Sequence, residues 1–141
     1  MLTRPELPAR ILSWVGAVAL VVSGLVHLHL WDVAYRHVDT LGPLFVVQGI
    51  AAIALAVVLV VWPRPLVALA GVVLALGTMA GYVKALNGGV FGFTLPVVTG
   101  WADLALAAEI VAVVALGSVC WLGLARRSTS ERVPAPSPSG A

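Results

Sequence analysis

The amino-acid sequence predicts an all-α protein, a bundle of four membrane-spanning helices with both termini on the inner side (N-in/C-in). Three observations predict it. The 141 residues are 61% hydrophobic and 10% charged, whereas a soluble domain carries about 25% charged residues. Four apolar stretches, at about 11–30, 44–62, 66–84 and 101–124, come close to or reach the roughly 20 helical residues needed to cross a hydrocarbon core about 30 Å thick. Five tryptophans, Trp14, Trp31, Trp62, Trp101 and Trp121, stand within a few residues of the ends of those stretches. An amphipathic ring gathers where a bilayer meets water. The length suits one compact unit.

Each element has its own reason. Residues 1–10 form a short basic start with Arg4 and Arg10. The first stretch is too long for the apolar core of a cleaved signal peptide. His27-Leu28-His29-Leu30-Trp31 follows in place of a small-residue cleavage site, so a retained anchor is expected. The second stretch contains the unbroken run 51–61. A barrel strand would alternate apolar and polar residues instead, and in lipid a helix satisfies its own backbone. Pro63 and Pro65 end one helix and start the next, which predicts an antiparallel hairpin. The loop at 31–43 is polar but aromatic and is expected on the membrane surface. The loop at 85–100 holds Gly88, Gly89, Gly92 and Gly100 beside Phe91, Phe93, Val97 and Val98, and is expected to dip toward the headgroups or cap the bundle. Residues 125–141, basic and then rich in Pro and Ser, are expected to form a disordered cytoplasmic tail.

Charge sets the orientation. Arg4, Arg10, Arg64, Arg126, Arg127 and Arg132 fall on the terminus side, and only Arg36 and Lys84 on the other. Short loops rich in Lys and Arg stay cytoplasmic, which predicts a multi-pass protein of the cell (inner or plasma) membrane. The same placement gives no basic stripe for nucleic acid. The lone Cys120 excludes an intrachain disulfide and a CxxC redox pair.

The polar residues of the apolar stretches gather toward the side away from the termini. His27 lies about 6 Å inside Trp31 and Glu109 about 12 Å inside Trp101, at helical rise. Gln48, Tyr82, Lys84 and Asp103 occupy the same half of their helices. Together with His27 and Glu109 they make a candidate polar cluster. A carboxylate at mid-membrane costs about 2.5–3.5 kcal/mol on insertion scales. Small residues at 102, 105 and 112 share its face, so Glu109 is expected to point into the bundle, protonated or paired. A structural hydrogen bond and a functional acid both remain open there. His27 shares a face with Ser23 and Trp31, while His29 points about 200° away. For a metal, His27, His37, Asp103 and Glu109 are the candidate ligands. A bis-histidine haem would need a second deep histidine. Asp103 and Lys84 are placed to pair near the interface. Gly77 and Gly81 form a GxxxG spacing, which predicts close helix packing within the chain or between copies.

The segment 25–48 (LVHLHLWDVAYRHVDTLGPLFVVQ), with GGVFGF at 88–93, resembles a group of uncharacterised small four-helix membrane proteins of actinobacteria. HLHLW, Tyr35 and the run Gly42-Pro43-Leu44-Phe45 carry that resemblance. In layout alone the chain is also similar to DoxX-type proteins, four-helix proteins linked to membrane redox chemistry. No catalytic residue can be carried across from either.

Two functions are expected on these grounds. The first is a non-enzymatic accessory subunit or small homo-oligomer, with the lipid bilayer, other membrane proteins or its own copies as partners. The alternative is a site protein of the outer leaflet that binds a ligand, quinone or metal through Glu109 and His27. No catalytic residue is assigned and no cofactor is specified. Enzymatic activity would follow from the second reading only.

Overall fold

The computed structural model describes residues 6–89 and 100–131. They form four helices: α1 (Glu6–Leu30), α2 (Leu41–Val61), α3 (Pro65–Asn87) and α4 (Gly100–Glu131). There is no strand among the described residues. All four helices are long and apolar enough to cross a membrane, as expected. Large apolar side chains such as Val18, Val47, Val57, Leu69, Val114 and Trp121 stand outward and exposed. Such a belt suits lipid and would be a severe aggregation liability in water.

The helices run past their apolar cores. α1 starts at Glu6 and continues through a π-helical turn, Trp31–Tyr35. Pro8 is tolerated because a first-turn residue has no intrahelical acceptor for its N–H. α4 continues to Glu131, beyond the expected end at Leu124. Residues 125–131 are therefore helical where a disordered tail was expected. Arg, Ser, Thr and Glu contain no helix breaker, so a packed helix propagates through them. The expected tail beyond 131 and the apolar loop residues at 90–99 lie outside the described residues.

The turns follow local chemistry. The Trp62 N–H donates to the Val58 carbonyl at 2.7 Å, and Pro65 opens α3. The Arg64 guanidinium lies 4.2 Å over the Trp62 ring. This is the expected hairpin. On the other side, Thr40 carries a φ of 69°, which reverses the chain into α2. Gly42 then sits against the π turn. A Cβ there would lie 2.6 Å from the Tyr35 carbonyl oxygen.

α1 and α4 form the centre of the bundle, α2 packs chiefly on α1 and α3 chiefly on α4, and α1 and α3 barely touch. Ala17, Leu20, Ala56, Leu59, Ala68, Ala112 and Leu116 build the core. Leu116 is fully buried in the space left by Gly16 and Gly71. A Cβ on Gly71 would come within 2.6 Å of Leu116 Cδ1. α1 and α2 approach backbone to backbone at Gly24 and Gly49. There a Cβ on Gly24 would lie 2.8 Å from the Gly49 carbonyl oxygen. This close approach on small residues replaces the hydrophobic drive that lipid does not supply.

The buried residues of α3 are Ala68, Gly71 and Ala75, all in its first half. Beyond Ala75 the helix stands off from the bundle. Gly77 and Gly81 illustrate this: nothing lies within 4 Å of a Cβ built at either. The close packing expected of their GxxxG spacing is absent within the chain. These glycines border open space instead.

Candidate functional site

The open space is a cavity of about 460 Å³ in the half of the bundle away from the termini. All four helices line it. α1 supplies His27 and Leu30, and the π turn supplies Tyr35. α2 adds Leu41, Leu44, Phe45 and Gln48, and α3 adds residues from Val73 to Ala85 including Thr78 and Tyr82. α4 adds Ala102, Ala105, Leu106 and Glu109, and the cavity is partly open, with Gly77 and Gly81 at its exposed side. Its volume lies within the usual range for small-molecule sites, about 300–1,000 Å³.

His27 and Glu109 give the cavity a polar wall, and Ser23 lies behind them. The Ser23 hydroxyl donates to Glu109 Oε1 at 3.1 Å, joining α1 to α4. His27 Nδ1 donates to the Ser23 carbonyl at 2.8 Å, one helical turn back. That bond fixes the ring and leaves Nε2 as its free nitrogen. Nε2 lies 3.9 Å from Glu109 Oε1. The gap exceeds a hydrogen bond, so the pair is close but not closed. Ser23 is 0% exposed, Glu109 2% and His27 6%. Burial of this depth is uncommon for a Glu. Among the described residues, no buried side-chain nitrogen or oxygen is left without a hydrogen-bond partner.

The hydrogen bonds argue against a hydrolase triad. A nucleophilic serine gives its proton to the imidazole. Ser23 donates to the acid; its oxygen also lies 3.5 Å from His27 Nδ1, but that nitrogen's proton goes to the Ser23 carbonyl, and Ser23 does not line the cavity. The ring of His27 leans on Phe45, with centroids 5.3 Å apart at 42°, and Phe45 stacks on Tyr35 at 4.4 Å and 20°. The π turn therefore matters to the site, because it carries Tyr35 onto Phe45. Stretches of π-helix often occur at functional sites.

The six residues of the expected polar cluster separate. His27, Gln48, Tyr82 and Glu109 line the one chamber. Lys84 and Asp103 are exposed and do not line it. No ion pair joins them among the described residues; His27–Glu109 and Arg36–Asp32 are pairs seen there. Of the expected metal ligands, His27 and Glu109 come together. His37 and Asp103 stand exposed and away from the chamber. Among the described residues no three His, Cys, Asp or Glu side chains are grouped to hold a metal ion. His29 packs its ring on Trp101 at 4.6 Å, tying α1 to the start of α4.

Ser23, Phe45, Tyr35 and Thr78 were not expected at the site. Ser23 carried a signal, being four residues before His27 on the same helical face. The others became neighbours only through helix packing. No protein-family model, no curated protein and no solved structure matches the chain. The resemblance carried by HLHLW and Gly42-Pro43-Leu44-Phe45 therefore stands on those motifs alone.

Proposed function

We propose that this protein is a multi-pass protein of the cell membrane that binds a lipid-soluble small molecule in the chamber beside His27 and Glu109. The observation that carries the reading is the buried Ser23–Glu109–His27 cluster, whose acid and imidazole face a largely apolar cavity that also holds Gln48, Thr78 and Tyr82. A bundle held together for structure alone loses packing contacts to an empty chamber. Here Gly77 and Gly81 keep that space open. The accessory-subunit or homo-oligomer reading would instead fill the same space with a partner helix laid on the exposed Gly77–Gly81 face.

The chemistry narrows the ligand. Its body is apolar and planar, suited to Phe45 and to the aliphatic walls. Its head carries oxygens that accept from an acid or donate to the free Nε2 of His27. A quinone or quinol headgroup has both properties. The proposal is one of binding, and turnover is not part of it.

The test is purification of the full chain in mild detergent, extraction of bound organic compounds, and titration with a short-chain quinone. A stoichiometric lipid-soluble compound in the extract, or saturable binding of the quinone, is the expected result. A preparation free of such compounds that also fails to bind the probe would overturn the reading.

The proposed orientation puts both termini in the cytoplasm. It rests on six Lys and Arg at the terminus end against two at the other. Cys120 lies in the terminus half of α4, half-buried beside the Pro65 carbonyl at 3.5 Å. A membrane-impermeant maleimide is expected to leave it unlabelled in intact cells and to label it after permeabilisation. Ready labelling from outside would reverse the orientation.

A further inference from the structure

A second cavity, of about 270 Å³, opens at the terminus end of the bundle. Its position is independent of the His27–Glu109 chamber. Arg10 of α1 and Arg126 of α4 line it from two sides, and Pro63 and Pro65 of the α2–α3 turn form a third. The remaining lining is mainly apolar, Ala9, Val119, Leu122 and Gly123, with Ser13, whose hydroxyl donates to the Ala9 carbonyl. Among the described residues that line it, none is acidic.

Its level in the membrane follows from the aromatic residues. Trp14, Trp62 and Trp121 stand exposed around this end, where such rings mark the headgroup region. Arg10 and Arg126 are both exposed, and both border the same cavity. Two guanidinium groups on different helices, beside a mainly apolar lining at headgroup depth, match a phosphate with hydrocarbon attached. Arg suits phosphate because its planar fork presents paired donors. The wider charge agrees: six of the chain's eight Lys and Arg belong to this end, with only Glu6 and Glu131 among its carboxylates.

We infer that the Arg10–Arg126 cavity binds the phosphate headgroup of an anionic membrane lipid. The acyl chains of that lipid lie along the exposed apolar faces beside the cavity. The Pro63–Pro65 turn forms one wall, so an occupied site braces α1 and α4 against the hairpin.

Native mass spectrometry of the full chain in detergent, titrated with phosphatidylglycerol and with phosphatidylcholine, tests the inference. One phosphatidylglycerol should be retained in preference to phosphatidylcholine. A basic residue near an anionic headgroup contributes about 1 kcal/mol. The preference should therefore fall about 5-fold for Arg10→Gln or Arg126→Gln alone, and about 30-fold for the pair. Arg64→Gln removes the same charge at the same end without lining the cavity, and should leave the preference unchanged. Equal affinity for the two lipids would overturn the inference, and this comparison needs no variant. So would a loss at Arg64→Gln matching that at Arg10→Gln, which would mean a diffuse charge effect. Displacement of the lipid by millimolar inorganic phosphate would identify a free-phosphate site and overturn it as well.

Discussion

Replacing Gly77 and Gly81 together by leucine is expected to abolish ligand uptake while the bundle remains folded. Both glycines border the 460 Å³ chamber, and nothing lies within 4 Å of a Cβ built at either. A leucine at each position therefore grows into empty space without meeting a neighbouring helix. Gly costs a helix interior about 0.8–1.0 kcal/mol relative to Ala, so the exchange favours α3 locally. Binding of a short-chain quinone should fall at least about 100-fold, equivalent to about 2.7 kcal/mol. Thermal unfolding in detergent should show a midpoint no lower than that of the unaltered chain. Quinone binding that survives the double substitution would place the ligand elsewhere. The same substitution at Gly24 or Gly49 has the opposite expectation, since α1 and α2 touch there and added side chains force them apart.

The second large effect concerns Glu109. Its carboxyl accepts the Ser23 hydroxyl at 3.1 Å and lies 3.9 Å from His27 Nε2. Glu109→Ala removes that acceptor from a buried position and leaves a void. Stranding a buried polar partner costs about 1–3 kcal/mol, and the void adds to it. Unfolding in a denaturing detergent should occur correspondingly earlier. Glu109→Gln behaves differently. Its carbonyl oxygen can still accept from Ser23 at the Oε1 position. Stability should then stay within about 1 kcal/mol of the original. Ligand binding should nevertheless be lost, because an amide cannot ionise or exchange donor for acceptor at one atom as a carboxyl does. If Gln preserved both stability and quinone binding, Glu109 would be a structural residue only. That result would favour the accessory-subunit reading.

The two expectations separate fold from function. The glycine pair tests the shape of the chamber, and Glu109 tests its chemistry. Loss of binding in both, with folding retained in Gly77→Leu/Gly81→Leu and in Glu109→Gln, locates the ligand between α3 and the α1–α4 seam.

Hydropathy alone determined that the chain is a four-helix bundle long enough to cross a membrane. An apolar run of about 20 residues has few solutions in lipid, because every backbone group must bond within its own segment. The prolines at 63 and 65 likewise specified the hairpin, since proline restricts its own φ and its predecessor's conformation. The inward direction of Glu109 was legible from the small residues on its face and the cost of placing an acid against lipid. Tertiary structure decided the rest. Helix ends depend on cooperative propagation, so α1 and α4 extended beyond their apolar cores. Rotation and splay of α3 are set by packing against three neighbours, and no spacing in α3 encodes them. A GxxxG reads the same whether it meets a helix or a void. The splay turned Gly77 and Gly81 from a packing motif into a cavity wall. It also selected Gln48 and Tyr82 for the chamber while Lys84 and Asp103 stayed exposed. Ser23 became a bridge between α1 and α4 because those two helices are in contact over much of their length, which places its hydroxyl against an acid 86 residues away.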